Sequence, residues 1–128
     1  MKKRILLADD ENVILKVTKL RLEHGGFEVV TAGDGEETLR QAFGSKKIDL
    51  FLLDIKMPKL DGFQICKKLK ENPATAKTPV ILFTASSERW QKLTEQCVEL
   101  GVSDLIRKPF QSAELLEKIQ QALGEGKP

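Results

Sequence analysis

Asp54 closes an apolar run, Ile48-Asp49-Leu50-Phe51-Leu52-Leu53, and is followed by Ile55-Lys56-Met57-Pro58. A buried strand that finishes on a carboxylate and then breaks puts that carboxylate at the rim of a sheet. Ile5-Leu6-Leu7-Ala8 ends the same way, on Asp9-Asp10, while Val80-Ile81-Leu82-Phe83 ends on Thr84-Ala85 and the run from Val102 to Arg107 ends on Lys108-Pro109. Three acids, one hydroxyl and one amine thus stand at the ends of four strand-like segments. Residues so far apart in sequence meet only if those strands are parallel neighbours. Three carboxylates at close range repel one another unless a cation sits among them. Mg²⁺ suits such a set, because it takes hard oxygen ligands and keeps several waters. The backbone carbonyl of Lys56 lies just beyond Asp54 and offers another oxygen. No His or Cys is near in sequence, which argues against zinc. Lys108 brings a compact positive charge for a phosphoryl oxygen, and Thr84 a hydroxyl donor. Phosphoryl transfer depends mainly on positioning and charge neutralisation. The set therefore describes a Mg²⁺-dependent phosphoryl acceptor with Asp54 as nucleophile, giving an aspartyl phosphate.

The elements that must carry these residues alternate strand and helix five times. Strands are expected at about residues 4–8, 27–32, 48–53, 79–83 and 102–106. A first helix follows Asp10, with Val13, Val17 and Leu20 giving one apolar face, and His24-Gly25-Gly26 ends it. A second, after Gly35, carries Leu39, Ala42 and Phe43. A third runs from near Phe63 to Glu71, entered through an Asp61-Gly62 turn, and stops before Asn72-Pro73. A fourth carries Trp90, Leu93, Cys97 and Leu100 on one stripe. A fifth starts after Ser112, read as its N-cap, and buries Leu116, Ile119 and Leu123. Alternation of this kind argues for a parallel sheet covered on both faces, and right-handed crossovers favour a three-layer doubly wound sheet. The expected class is α/β, a flavodoxin-like (βα)5 fold with strand order 2-1-3-4-5. In such sheets ligands bind beyond the carboxyl ends of the strands, where strand order reverses.

At 128 residues the chain suits one domain, read as residues 1–124 with a polar tail or linker start at 125–128. Its 41% apolar content is that of a globular protein. The formal charge of +2 and the scattered basic residues, among them Lys46-Lys47 and Lys67-Lys68, argue against a dedicated nucleic-acid binder. Cys66 and Cys97 lie in helical flanks with no metal-like spacing and read as buried reduced thiols. No run is long enough to span a membrane and none resembles a signal peptide, so the expected setting is cytoplasmic.

Taken together, Asp9-Asp10, Asp54-x-x-Met57-Pro58-x-x-Asp61-Gly62, Thr84-Ala85 and Lys108-Pro109-Phe110 resemble the receiver domain of bacterial two-component response regulators. They fall in that family's order and spacing over essentially the whole chain, and the likeness is to short, single-domain members similar to the chemotaxis regulator. The resemblance implies phosphoryl transfer to Asp54 from a phosphohistidine on a sensor histidine kinase or phosphotransfer protein. It implies direct Mg²⁺ binding by Asp10 and Asp54, with Asp9 acting mainly through water, and a cis Lys108–Pro109 bond. It also implies output to an undetermined partner through the face of the fourth helix, fifth strand and fifth helix, as a monomer or a phosphorylation-induced dimer. The family often carries Tyr or Phe three residues before the lysine. Leu105 stands there, which puts the family's coupled movement of hydroxyl and aromatic in question while leaving the phosphorylation residues intact. Lys56 and Ser86 occupy the positions that tune phosphoryl lifetime in the family.

Three other readings compete. A phosphorylation-independent interaction module would show loss of Asp54, Lys108 or the acid pair, and none is lost. A haloacid-dehalogenase-like phosphohydrolase needs an acid two residues after the nucleophile, where Lys56 stands. The chain is therefore read as a switch that catalyses only its own phosphorylation and dephosphorylation, not as an enzyme. A flavin phosphate would be repelled by Asp9-Asp10, and no P-loop or GxGxxG is present.

Overall fold

In a computed structural model, residues 2–85, 90–108 and 110–124 are described. The expected cis Lys108–Pro109 bond, Ser86 and the tail at 125–128 lie outside them. The elements run β1 (Arg4–Ala8), α1 (Asn12–His24), β2 (Glu28–Ala32), α2 (Gly35–Ala42), β3 (Leu50–Asp54), α3 (Gly62–Glu71), β4 (Val80–Thr84), α4 (Trp90–Leu100), β5 (Asp104–Arg107) and α5 (Ser112–Ala122). All four strand pairings are parallel and the order is β2-β1-β3-β4-β5, as expected.

β3 and β4 are buried along their whole length, so they read as unbroken apolar runs rather than alternating ones. Their side chains still alternate between two cores. Leu6, Ala8, Phe51, Leu53 and Leu82 pack with Ile65, Cys66 and Leu69 of α3 and Cys97 of α4. Ile5, Leu7, Leu50, Leu52, Ile81 and Phe83 pack with Leu22 of α1 and Leu115 and Ile119 of α5. Both thiols are buried, and burial pushes each above its ordinary pKa, Cys97 to about 11. Lys46, Lys47, Lys67 and Lys68 are exposed.

Several expectations need correction. Val13, Val17 and Leu20 do not face the core: they are 74%, 41% and 58% exposed, and α1 is anchored through Thr18 and Leu22. The N-cap of α5 is Gln111, not Ser112, and no side chain caps it. Leu115 and Ile119 are the buried residues of α5, with Leu116 and Leu123 packed at the margin of that core. Phe43 lies past the end of α2 and is 45% exposed. β3 begins two residues later than expected, at Leu50; just before it the Asp49 amide donates to the Arg4 carbonyl (2.8 Å) and the Asp49 carboxylate accepts from the Arg4 amide (2.7 Å). β5 likewise begins at Asp104.

Helix boundaries follow local chemistry. Asp34 caps α2 by accepting from the Glu37 amide. Asp61 and Gln64 form a reciprocal capping box at the start of α3, so the Asp61-Gly62 turn has its expected structural role. Gly26, with φ +94°, supplies the left-handed exit after α1. His24 ends that helix and is exposed.

Candidate phosphoryl-accepting site

β1 and β3 are neighbours in register from Ile5↔Leu50 to Ala8↔Leu53. That register brings Asp9, one residue past β1, beside Asp54, the last residue of β3. Asp9 and Asp54 continue the alternation of Ile5, Leu7 and of Leu50, Leu52, so both carboxylates emerge on the side of the sheet that α1 and α5 cover. One carboxylate oxygen from each of Asp9, Asp10 and Asp54 lies within 4.8 Å of the others. Asp9 is 1% and Asp54 5% exposed, whereas Asp10 faces solvent. This acidic triad is the one the sequence singled out.

Lys108 follows β5 and is held in place by its amide, which donates to the Thr84 carbonyl (2.8 Å). Its ammonium donates to Asp9 Oδ2 (3.0 Å) and Asp54 Oδ2 (3.3 Å), with Glu11 at 3.8 Å. It also lies 4.8 Å above the Phe83 ring, which makes an edge contact with Phe110. One buried amine thus bridges two buried acids over an aromatic floor. Thr84, the last residue of β4, is 2% exposed. β5 brings Arg107 into register with Thr84, and the Arg107 guanidinium stacks 4.3 Å from the centre of the Trp90 ring.

The charges decide what the site can bind. Burial raises the Asp54 carboxyl to about 6, against the pull of Lys108; the Asp9 charge raises it further, and the Lys56 amide, donating to Asp54 Oδ1 at 3.3 Å, opposes it. Burial lowers the Lys108 ammonium, but its hydrogen bond to Asp9 and the charges of Asp54 and Asp9 outweigh that and raise it. Lys108 offers one positive charge to a group of three acids. A hard divalent cation fits the remaining charge and the all-oxygen donor set. Asp9 Oδ1 also accepts from the Glu11 amide (2.9 Å), which fixes that carboxylate's orientation.

The β3–α3 loop closes the site on one side. A Cβ at Gly62 would lie 2.7 Å from the Asp54 carbonyl oxygen, so only glycine allows α3 to start this close to the end of β3. Sequence reasoning gave Gly62 a turn role and missed this contact. It also missed Lys59, the one described non-glycine residue with positive φ (+73°), whose ammonium reaches Glu36 (3.0 Å) and Asp34 (3.6 Å) across the loop. Lysine at a left-handed position carries no sequence signal. On the other side, an open groove of about 530 Å³ runs from Lys108, Ala85 and Phe110 past Glu11, Ile14 and Arg21 to the exposed Val13 and Val17. No helix among the described residues is long and apolar enough to cross a membrane.

The family model for the response regulator receiver domain matches residues 5–120. The alkaline phosphatase synthesis transcriptional regulatory protein PhoP of Bacillus subtilis is 38% identical over 123 residues, covering 96% of this chain and 49% of that protein. The chain spans about half the length of the curated relatives it matches. A CheY-like receiver domain from Methanospirillum hungatei superposes with a TM-score of 0.87 at 31% identity, covering 97% of this chain and 95% of the other. The receiver domain of sensor histidine kinase PA1611 from Pseudomonas aeruginosa, solved with a magnesium ion coordinated in its active-site cleft, gives 0.86 at 29% identity, covering 98% and 100%. With the acids, Thr84 and Lys108 at the carboxyl edge of a 2-1-3-4-5 sheet, this chain belongs to the response regulator receiver domains of two-component signalling.

Proposed function

We propose that Asp54 accepts a phosphoryl group from a phosphohistidine on a sensor histidine kinase or phosphotransfer protein, and that the modified domain changes which protein it binds. The observation that carries this reading is the Lys108 bridge. A buried ammonium already stands 3.3 Å from the Asp54 carboxylate and 3.0 Å from Asp9, where it can pass to a phosphoryl oxygen with little reorganisation.

Asp10, Asp54 and the Lys56 carbonyl would hold Mg²⁺, with Asp9 acting through water. Bound there, the ion supplies charge neutralisation for the phosphoryl oxygens. The magnesium in the cleft of the PA1611 receiver supports the choice of metal. Asp54 attacks phosphorus in line: its Oδ–P bond forms as the P–N bond to the donor imidazole breaks, and the imidazole leaves with that electron pair. Lys108 and the Thr84 hydroxyl each take a phosphoryl oxygen. Water later cleaves the acyl phosphate, releasing inorganic phosphate and restoring Asp54. The chain thus acts only on itself and turns over no small substrate. The groove lined by Val13 and Val17, opening beside Lys108, gives a donor helix an apolar surface next to the acceptor. Output would leave through α4, β5 and α5, where Arg107 and Trp90 meet.

Incubation with a phosphohistidine-bearing domain, followed by peptide mapping, tests the reading. A hydroxylamine-labile phosphoryl group on Asp54 is expected. A label on any other residue, with Asp54 unmodified, would overturn it.

A further inference from the structure

The loop between Asp54 and Gly62 is bent through an unusual turn. The Leu60 amide donates to the Pro58 carbonyl (2.8 Å), closing a three-residue turn around Lys59. A turn of this kind with positive φ at its centre is rare and strained, and a lysine at φ +73° adds a steric cost that glycine would avoid. Strained backbone persists where surrounding contacts over-determine it. Met57 and Leu60 pack against the core, and the polar contacts of the turn lead to the start of α2. The Lys59 ammonium pairs with Glu36 at 3.0 Å and Asp34 at 3.6 Å. The Gly35 amide donates to the Pro58 carbonyl (3.3 Å). A Cβ on Gly35 would sit 2.5 Å from the Leu60 carbonyl oxygen, so the two backbones are in direct contact. The hydrogen bond to Glu36 and the charges of Asp34 and Glu36 in turn raise the Lys59 ammonium above its ordinary pKa.

The far end of the loop is Lys56, whose amide holds Asp54 Oδ1 and whose carbonyl is the backbone ligand in the proposed metal site. We infer that Lys59 is a positioning residue for metal binding: its ion pairs to Glu36 and Asp34 hold the strained turn against α2 and thereby fix the Lys56 carbonyl beside Asp54. This inference rests on the metal site proposed above.

The test is Mg²⁺ titration by calorimetry, with chemical denaturation in chelator as a control, on the unmodified chain and on Lys59→Met, Lys59→Gly, Glu36→Gln and the Lys59→Met/Glu36→Gln pair. The sign discriminates. Removing a positive charge would by charge alone leave Mg²⁺ binding unchanged or tighten it. Loss of positioning weakens it instead, by roughly three- to tenfold for an exposed clamp acting on a ligand. Lys59→Gly relieves the turn's strain, so it keeps the fold while removing the clamp, and it should weaken binding as Lys59→Met does. The double variant should be no weaker than Lys59→Met, because each substitution breaks the same contact. Unchanged or tighter binding in both Lys59 variants would overturn the inference, as would denaturation midpoints that shift while Mg²⁺ affinity stays constant. If the unmodified chain itself takes up no Mg²⁺, the metal-site reading fails first and the inference with it.

Discussion

The Lys108 ammonium and the Asp54 carboxylate are 3.3 Å apart at the end of a parallel sheet, and both are largely buried. Their pairing describes a resting site in which a lysine occupies the space that opposite charge requires. Phosphorylation of Asp54 would replace one negative oxygen with three on a longer arm. Lys108 can then keep its charge partner while changing its position.

Lys108→Ala removes a cation that competes for the same acids. Mg²⁺ affinity should be retained or rise, while labelling by acetyl phosphate should slow by about tenfold or more, the scale of losing one preorganised charge contact. Calorimetry and timed intact-mass measurements separate the two effects. A collapse of Mg²⁺ affinity in this variant would make Lys108 part of the metal scaffold instead.

Asp10→Ala takes away the solvent-facing acid of the triad. Mg²⁺ binding should weaken by about tenfold or more, since a hard cation loses one of its few charged ligands. The fold should persist, because Asp10 is exposed and no described core contact depends on it. Unchanged affinity by calorimetry would put the ion elsewhere.

The Asp54 carboxyl is raised to about 6 by burial and by Asp9. A carboxyl that is harder to ionise in the folded state costs stability as pH rises from its unfolded pKa through the folded one. In the absence of metal, Asp54→Asn should therefore stabilise the domain at pH 7.5 by roughly 1–3 kcal/mol. The gain should shrink toward zero near pH 3, below both the unfolded and the folded pKa, where Asp54 is protonated in both states. Urea denaturation at the two pH values checks this. A gain of equal size at both would point to packing rather than charge.

Gly62→Ala forces a Cβ to within 2.7 Å of the Asp54 carbonyl oxygen and 3.0 Å of the Ile55 Cα. Both are backbone atoms and cannot swing aside. The substitution should cost about 1–3 kcal/mol and slow phosphoryl uptake, because the atoms displaced belong to the acceptor strand. Denaturation and acetyl phosphate labelling of the same preparation would reveal a stability loss without a rate loss, if the contact is only structural.

The strand order and the cluster of polar residues at its carboxyl edge were legible because buried parallel strands leave unbroken apolar runs, and the polar residue that ends each run stands out as a break in pattern. Asp9, Asp54, Thr84 and Lys108 were found that way. The buried face of α1 was not. Val13, Ile14, Leu15, Val17, Leu20 and Leu22 surround much of that helix, so spacing selects an apolar stripe without telling which stripe meets the sheet. Thr18, a polar residue, lies on the buried side, while Val13 and Val17 border the groove beside the site. Ser112 was chosen as a cap by residue type, yet the chain enters α5 at Gln111. Lys59 was invisible because its role comes from a backbone angle and from partners more than twenty residues away.

Intact-protein mass after incubation with acetyl phosphate and Mg²⁺ addresses the central claim most directly. A single phosphoryl adduct is predicted, absent in Asp54→Asn and absent when a chelator replaces the metal. An adduct that survives in Asp54→Asn, or forms equally well in chelator, would contradict the account.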